Sequence, residues 1–353
     1  MTYLFEYLTF LAETVTVVVA VLIILSTLIN AGFKQQGDKD SGHLHVEKMN
    51  DGVRGLRHAM ENGLLPAEAV KKRHKQEAKL DSRAEKQLTQ TLKKKNTDAT
   101  EKEEDETSGR AFVLRFDGDV RASNVERLRL EVSAILTMAN HKDEVVVCLE
   151  SPGGMVHSYG LAASQLMRIR SKGIPLTAVV DMVAASGGYL MAAVANRVLA
   201  APFALLGSIG VVAQVPNVHR LLKKNDVDVE VITAGKYKRT LTVLGENTEE
   251  GRKKFTQELE DVHDLFREFV AQNRPELDLE AVATGEAWYG KRALAMGLID
   301  GLATSDEYLM DLCEVRDVFE VTWVEHKKPM DKFLGKVNGL LDQASSALDV
   351  FRR

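Results

Sequence analysis

The stretch Val183-Ala184-Ala185-Ser186-Gly187-Gly188-Tyr189 stands inside an apolar run that extends from Leu176 to Ala201. A single hydroxyl lies between alanines and glycines, and an apolar helical pattern follows it. This pattern predicts that Ser186 stands at the start of a buried helix, with small neighbours that leave room for a ligand. Ser186 can act as a nucleophile only if another part of the chain supplies a base.

Segments on both sides of this stretch alternate between strand and helix patterns. Short, mostly apolar runs predict strands at 111–116, 145–149, 176–180, 197–200 and 229–232. Apolar residues at helical spacing predict helices at 124–138, 158–169 and 247–273. Strands and helices that alternate in this way predict right-handed βαβ crossovers and a mainly parallel sheet, and therefore an α/β fold.

The composition of the chain excludes several classes of function. Hydrophobic residues make up 45% of the 353 residues, enough for a substantial core, and the net charge of −5 offers no general case for nucleic-acid binding. Cys148 and Cys313 lie in apolar contexts, which predicts buried free thiols rather than a disulfide. No cluster of cysteines or histidines has the spacing of a metal site, so we expect no metal.

The N-terminus has the composition of a membrane anchor. No charged residue occurs from 14 to 33, and these twenty residues would cover about 30 Å as a helix, the thickness of a bilayer core. A cleaved signal peptide would begin with basic residues, whereas this start carries Glu6 and Glu13. We therefore predict an uncleaved anchor over residues 1–33 with its span at about 14–33; a buried core helix is the alternative.

Residues 34–110 are polar and highly charged. Weak helical periodicity between residues 53 and 70 predicts a short helical hairpin, and the charge runs after it predict a disordered linker. A solvated linker is the simpler interpretation of the basic runs, and contact with anionic lipid headgroups is the alternative.

The last segment, residues 311–353, is predicted to contain a strand and an amphipathic helix. The apolar stripe of this helix, over 331–353, suits docking on its own domain, packing in an oligomer or lying on a membrane. The sequence does not separate these three possibilities.

Two of the predicted strands end in residues that suit acyl chemistry. The strand at 145–149 is followed by Gly153 and Gly154, and the strand at 176–180 leads to Ser186. Ligands of open α/β sheets bind beyond the carboxyl ends of the strands, so we expect the glycines and the serine at one edge. Adjacent glycines let main-chain N–H groups approach the oxyanion of a tetrahedral intermediate. A plain turn is the alternative interpretation of the two glycines.

A base for the serine is harder to identify. His157 and His219 are the histidines nearest in sequence, and each is more typical of a surface or core histidine. Ser186 also lacks the Gly-x-Ser-x-Gly frame of a nucleophile elbow.

A lysine is the other candidate. Lys238, in Gly235-Lys236-Tyr237-Lys238, follows the predicted strand at 229–232, and no acid comes after it until Glu246. A lysine acts as a base only when its amine is neutral, which requires a side-chain pKa of about 10.4 to fall by about three units. Composition alone makes Lys238 an ordinary surface lysine.

Five short motifs, in a defined order along the chain, resemble those of a known protein family. They are Glu150-Ser151-Pro152-Gly153-Gly154, Ala184-Ala185-Ser186-Gly187-Gly188-Tyr189, Leu206-Gly207-Ser208-Ile209-Gly210-Val211, Gly235-Lys236-Tyr237-Lys238 and Gly297-Leu298-Ile299-Asp300. Each motif alone is weak, but the five together are specific. With them, the chain from about 112 to 309 resembles the signal peptide peptidase A family, which is serine peptidase family S49. We therefore take residues 111–310 as an S49-type catalytic domain.

The resemblance implies roles for six residues. Ser186 would be the nucleophile and Lys238 the general base of a Ser-Lys dyad, with Ser208 hydrogen-bonded to the lysine amine. Gly153 and Gly154 would form the oxyanion region, to which the N–H of Gly187 would contribute.

The resemblance also implies a fold and an assembly. The fold is a ClpP/crotonase-like βαβ superhelix, in agreement with the alternation of strands and helices, and no metal or cofactor is needed. In single-domain members the serine and lysine that meet belong to adjacent protomers of a homo-oligomeric ring. We therefore predict that Ser186 and Lys238 of one chain do not hydrogen-bond. Arg239 departs from the family pattern of an acid or small residue, and this neighbouring cation favours a neutral amine.

The primary hypothesis is a membrane-anchored serine endopeptidase of the bacterial inner membrane. Its substrates would be hydrophobic peptides, such as residual signal peptides, or exposed segments of membrane proteins. The resemblance favours a periplasmic catalytic domain, whereas Lys34 and Lys39 after the span favour the cytoplasm. The alternatives are a crotonase-type acyl-CoA enzyme, which shares the fold, and a catalytically inactive membrane scaffold.

Overall fold

The computed structural model describes residues 42–95 and 109–325, together with residues 11 and 16. The predicted span over 14–33 (apart from residue 16), the part of the predicted linker beyond residue 95 and the helix over 331–353 lie outside the described residues. The prediction that the linker begins soon after residue 70 is wrong, because a single helix runs over Ala67–Lys95 and contains the charge runs at 71–75 and 93–95. Within the described part of the chain, no helix is both long and apolar enough to cross a membrane. The chain divides into two compact units, and the larger one, Leu44–Trp323, carries the candidate site.

The described residues form ten strands and ten helices. The strands are β1 (Gly42–Lys48), β2 (Ala111–Asp117), β3 (Glu144–Glu150), β4 (Leu176–Val180), β5 (Val183–Ala185), β6 (Arg197–Ala200), β7 (Leu205–Gly207), β8 (Ala287–Tyr289), β9 (Gly301–Leu302) and β10 (Val318–Glu325). The helices are α1 (Met49–Leu64), α2 (Ala67–Lys95), α3 (Val125–Leu136), α4 (Val156–Ser171), α5 (Gly187–Ala192), α6 (His219–Lys224), α7 (Glu249–Asn273), α8 (Leu279–Val282), α9 (Gly290–Ala295) and α10 (Ser305–Val315).

A seven-stranded sheet in the order β1-β10-β2-β3-β4-β6-β9 forms the centre of the fold. The five pairings from β10 through β9 are all parallel. Residues 145–149 and all of β4 are buried, as expected for parallel strands that are covered on both faces. The predicted α/β fold with a mainly parallel sheet is therefore confirmed.

A smaller sheet lies beside the main one and carries the serine stretch. Strand β5 pairs in parallel with β7, and β7 pairs antiparallel with β8. A single parallel bridge between Ser151 and Ala184 joins the end of β3 to β5. Because β3 and β4 are parallel neighbours, the segments that follow them leave the main sheet at the same edge.

The helices around the serine stretch are held by buried apolar contacts. Phe116, Tyr159 and Tyr189 are among the largest fully buried side chains of the core.

Cys148 is a buried free thiol and Cys313 is a partly buried one, as predicted. Burial raises the pKa of the Cys148 thiol to about 12, so this thiol is inert at neutral pH.

The motif that contains Asp300 ties the serine helix to the main sheet. The Tyr189 hydroxyl, on α5, donates to the Leu298 carbonyl at 2.8 Å. The Asp300 carboxylate accepts from the Val198 N–H at 2.7 Å and pairs with both terminal nitrogens of Arg274, at 2.7 and 2.9 Å. Burial opposes the charge of Asp300, but these hydrogen bonds outweigh it, and its pKa lies below the ordinary value.

The prediction of a strand at 229–232 is wrong. This segment is irregular, and within 211–248 the only regular element of the described chain is the short helix α6. Val231 is 45% exposed and Ile232 is 89% exposed. A strand needs a neighbouring strand to receive its backbone hydrogen bonds, and no described strand lies beside this segment.

Candidate active site

The backbone at Ser186 is strained. Ser186 connects β5 directly to α5 and has φ +50° and ψ −119°. An L-residue with positive φ costs about 1–3 kcal/mol, and such residues concentrate at functional sites. The sharp strand-to-helix turn is the arrangement of a nucleophile elbow, although the sequence frame differs. The turn leaves the Ser186 side chain half-buried, and its hydroxyl makes no hydrogen bond with any described residue.

Gly153 lies directly against this turn. A Cβ atom on Gly153 would lie 2.7 Å from the Ala185 carbonyl oxygen, 2.7 Å from the Gly187 nitrogen and 2.8 Å from the Ser186 Cβ. Gly153 also has φ +87°, a region that favours glycine. The expectation that the Gly-Gly turn and the serine meet at one edge of the sheet is therefore confirmed.

The Glu150 carboxylate shapes the approach to the serine. It accepts hydrogen bonds from the N–H groups of Asp181 and Val183, each at 2.9 Å, and of Met182 at 3.0 Å. These three residues connect β4 to β5, so Glu150 sets the direction in which β5 leads to Ser186. Asp181 in turn accepts from the Ser305 N–H at 2.7 Å at the start of α10.

A buried chain of hydrogen bonds fixes the glycine turn. The Gly153 N–H donates to the Ser151 hydroxyl at 3.1 Å, and this hydroxyl bonds the hydroxyl of Tyr159. Tyr159 donates in turn to the Asp119 carbonyl at 2.7 Å. Burial raises the pKa of Tyr159, which keeps the phenol neutral and able to donate. The same tyrosine ring packs against Gly187, where a Cβ atom would lie 2.4 Å from the ring.

The main-chain donors of the three predicted oxyanion residues differ. The N–H of Gly153 is engaged with Ser151. The N–H groups of Gly154 and Gly187 donate no hydrogen bond to any described residue. The N–H groups of Gly154 and Gly187 are therefore available to bind an oxyanion. Gly153 instead shapes the turn that leads to Gly154.

Ser208 lies beside Ser186. The parallel register pairs Ala185 with Gly207, so the two serines stand one residue beyond the last paired positions of β5 and β7. The Ser186 N–H donates to the Gly207 carbonyl at 2.8 Å. Ser208 also has a positive φ, +52°, and its N–H donates to the Glu286 carbonyl at 2.6 Å. Its hydroxyl has no hydrogen-bond partner among the described residues.

Lys238 is not joined to the serine within this chain. It is exposed and lies in the irregular segment 211–248, where its N–H donates to the Gly235 carbonyl at 3.2 Å. No hydrogen bond connects its amine to Ser186 or Ser208, and no ion pair involves it, in the part of the chain that the structure describes. This separation agrees with the expectation for a single subunit.

The neighbouring Lys236 has a different environment. Its amine lies 2.8 Å from the Glu250 carboxylate. Its hydrogen bond to Glu250 raises the pKa of Lys236, which favours the charged form and makes it unsuitable as a base. Of the two lysines in the motif, Lys238 alone lacks a carboxylate partner among the described residues.

The two candidate histidines lie on different helices. His157 is exposed on α4, and His219 is half-buried at the start of α6. Neither hydrogen-bonds to Ser186 in the described chain.

Sequence reasoning assigned no role to Glu150, Ser151 and Tyr159. Glu150 and Ser151 belong to the motif Glu150-Ser151-Pro152-Gly153-Gly154, and their position directly at the end of a buried strand is the feature that could have indicated a role at the site. Tyr159 gave no signal, because its contacts with Gly187 and Ser151 depend on how α4 packs.

Substitution of Gly153 with alanine tests the geometry of the turn. We expect kcat/KM to fall by about 100-fold, because the added methyl group displaces the Ser186 backbone and small displacements of catalytic groups have effects of this size. Gly173→Ala is the matched control, since Gly173 also has a positive φ, +71°, but nothing lies within 4 Å of the added carbon. The control variant therefore measures the effect of backbone strain without a steric clash. Equal activity of the two variants would contradict the packing of Gly153 against Ser186.

The chain is similar to known peptidases along most of its length. The model for "Peptidase family S49 N-terminal" matches residues 2–166, and the model for "Peptidase family S49" matches residues 168–318. The "Probable protease SohB" of Haemophilus influenzae is 48% identical over 328 residues, which are 92% of this chain and 90% of that protein.

Further relatives extend this similarity. A "Probable protease SohB" of Buchnera aphidicola subsp. Acyrthosiphon pisum is 51% identical over 232 residues, 66% of this chain and 69% of that protein. A more distant relative, the "Putative signal peptide peptidase SppA" of Enterococcus faecium, is 28% identical over 192 residues, 54% of this chain and 56% of that protein.

Proposed function

The chain belongs to peptidase family S49 and is a serine peptidase, and we propose that it is an endopeptidase with Ser186 as its nucleophile and Lys238 as its general base. The observation that carries this proposal is the strained strand-to-helix turn at Ser186, packed against Gly153. Two main-chain N–H groups beside this turn, those of Gly154 and Gly187, have no partner among the described residues.

The proposed reaction follows from this arrangement. The neutral amine of Lys238 takes the proton from Ser186 as the serine oxygen attacks the carbonyl carbon of the scissile bond. The N–H groups of Gly154 and Gly187 stabilise the oxyanion, an effect worth about 3 kcal/mol for each donor. Lys238 then gives its proton to the leaving amine, and a water molecule, activated by the same lysine, releases the acyl group from Ser186.

We propose that Lys238 acts on the Ser186 of a neighbouring subunit in a homo-oligomeric ring. The amine has no carboxylate partner among the described residues, so it is available to a group of another subunit. The segment 211–248 exposes several large apolar side chains, including Val212 at 85% and Ile232 at 89%. Exposed apolar side chains on an irregular segment suit a subunit contact, and burial in such a contact would desolvate Lys238. Ser208, beside Ser186, would receive the lysine amine there.

Apolar peptides are the proposed substrates. Val120, Met155 and Val156 are at least 45% exposed and adjoin the Gly153-Gly154 turn. The Val120 carbonyl lies against Gly154 and accepts from the Met155 N–H at 2.8 Å, so these side chains border the oxyanion region. Residual signal peptides and exposed segments of membrane proteins have this character.

We further propose that residues 14–33 anchor the enzyme in the bacterial inner membrane, with the catalytic domain in the periplasm. The support is the uncharged composition of this segment, which is long enough for a bilayer core. The two connected sheets and their βαβ units support a ClpP/crotonase-like superhelix. Membership of a peptidase family favours peptide hydrolysis over the acyl-CoA chemistry of crotonases and over an inactive scaffold.

A fluorophosphonate probe tests the nucleophile directly. We expect the probe to label the full-length protein once per active site, and peptide mapping to place the adduct on Ser186. Ser186→Ala should abolish labelling, whereas His157→Ala should retain it. An adduct on any other residue, or labelling that persists in Ser186→Ala, would overturn the assignment.

A further inference from the structure

The helical hairpin formed by α1 and α2 carries two equivalent pairs of side chains. His58 and Glu61 lie three residues apart on α1, and His74 and Glu77 lie three residues apart on α2. Side chains at this spacing share one helix face. Only residues 65 and 66 separate the helices, so the chain reverses sharply and the two faces meet. The imidazole rings of His58 and His74 are in contact, with centroids 3.9 Å apart.

The ligand atoms of these residues already lie close together. One nitrogen or oxygen each from His58, Glu61 and His74 falls within 4.8 Å of the other two. The His74 Nε2 is 3.6 Å from a Glu61 carboxylate oxygen, too far for a hydrogen bond. Two nitrogen or oxygen ligands of a tetrahedral zinc ion lie about 3.3 Å apart, so this separation suits a bridging metal.

The His74 imidazole also has a nitrogen without a hydrogen-bond partner. The His74 Nε2 is buried from solvent and has no hydrogen-bond partner among the described residues. A buried polar atom without a hydrogen-bond partner is destabilising, and a bound ion or water is a common reason for its presence. The atom belongs to the same cluster as Glu61 and His58, so a metal ion there would satisfy it.

The charges around the cluster permit a divalent cation. Glu77 accepts from, or shares a proton with, the His58 Nε2 at 2.7 Å, and the Arg57 guanidinium also pairs with Glu77. The Arg73 guanidinium lies 3.1 Å from Glu61. Both arginines are about 60% exposed, so they can turn into solvent when a metal takes the carboxylates.

We propose that the hairpin binds one divalent transition-metal ion of the zinc class through His58, Glu61 and His74. Glu77, which contacts the His58 Nε2, would leave that nitrogen and supply the fourth ligand. Imidazole and carboxylate ligands in a tetrahedral set are typical of Zn²⁺. This site revises the expectation of no metal, which rested on sequence spacing, because its two histidines are brought together only by the reversal of the chain.

The position of the hairpin suggests a structural role for the metal. The amide nitrogen of Asn50, at the start of α1, donates to the carbonyls of Cys313 and Arg316, both at 2.9 Å. The Asn50 amide oxygen accepts from the Val318 N–H at 2.8 Å. One end of the hairpin is thus held to α10 and β10, and a metal ion would clamp the two helices near the other end.

Metal binding to the full-length protein tests the proposal. The protein, without a histidine tag, is freed of metal with a chelator, and Co²⁺ and Zn²⁺ are titrated separately. We expect one Co²⁺ per chain with the intense visible absorption of tetrahedral cobalt, displaced by Zn²⁺. His74→Ala and Glu61→Gln should each weaken binding by at least about tenfold. His141→Ala, which removes an exposed histidine outside the cluster, is the matched control.

Hydrogen exchange and probe labelling separate the possible outcomes. Zn²⁺ should slow amide exchange in residues 53–77 of the wild type but not of His74→Ala. Equal metal affinity in the wild type and His74→Ala, or an equal loss in His141→Ala, would overturn the proposal. Helix content by circular dichroism identifies a variant that fails to fold. If His74→Ala fails to fold, the metal affinity of Glu61→Gln tests the proposal in its place. Fluorophosphonate labelling of the same samples reports on Ser186 independently of the metal. A protein that is labelled but binds no metal would contradict the metal site and leave the proposed nucleophile intact.

Discussion

Substitution of Ser186 with alanine is expected to lower the rate of peptide hydrolysis by at least about 1,000-fold, because the nucleophile and its covalent intermediate are both lost. Stability should change little. The Ser186 hydroxyl has no hydrogen-bond partner among the described residues, and alanine adopts the same positive φ at a similar cost. The measurement is kcat/KM on an apolar peptide, together with thermal unfolding of both proteins.

The controls for Ser186→Ala separate the nucleophile from the histidine alternatives. His157→Ala and His219→Ala should retain the wild-type rate, since neither histidine hydrogen-bonds to Ser186 in the described chain. A Ser186→Ala enzyme with more than a few per cent of the wild-type activity would contradict the assignment. Loss of activity in His219→Ala with full activity in Lys238→Ala would replace the Ser-Lys dyad by a Ser-His pair.

Substitution of Lys238 with alanine is expected to lower kcat by about 100- to 10,000-fold, the usual contribution of a general base. Lys236→Ala is the matched control. Its amine is exposed and paired with Glu250, and the resulting rise in its pKa makes it unsuitable as a base. We expect the control to retain activity. Equal losses in the two variants would point to disruption of the segment 211–248 rather than to removal of a base.

A mixture of the two inactive variants tests whether the site is shared between subunits. If Ser186 of one subunit meets Lys238 of the next, co-expression of Ser186→Ala with Lys238→Ala creates sites that contain both intact residues. With random assembly, about one quarter of the sites in such a ring are complete. We therefore expect co-expression to restore about a quarter of the wild-type activity, whereas a site within one chain would remain inactive in every mixture.

The alternation of strands and helices was readable from local patterns. The strands predicted at 176–180 and 197–200 match β4 and β6 residue for residue, and the strand at 145–149 differs from β3 by one residue at each end. Continuous apolar runs define buried parallel strands well, because both faces of such strands are covered. The prediction failed at 229–232, where a short, mostly apolar segment that contains Glu230 is exposed and has no neighbouring strand among the described residues.

The candidate site was only partly predictable. The sequence singled out Ser186 and the Gly153-Gly154 turn, because they follow strands that end at one edge of a sheet. The family motifs added Ser208 and Lys238. No pattern indicated that Glu150 holds the connection between β4 and β5, because the accepting carboxylate and the donating N–H groups are more than 30 residues apart.

The sequence by itself determined the α/β class, the mainly parallel orientation of the strands and the family, because these depend on local hydrophobic periodicity and on short motifs. The tertiary structure alone decided which glycine shapes the turn and which have an N–H without a partner among the described residues, because that depends on how Tyr159 packs against Ser151 and the serine helix. It also showed the strained backbone at Ser186 and the absence of a hydrogen bond between Ser186 and Lys238 within the described chain. Contacts between segments far apart in sequence decide such features, and no local pattern encodes them.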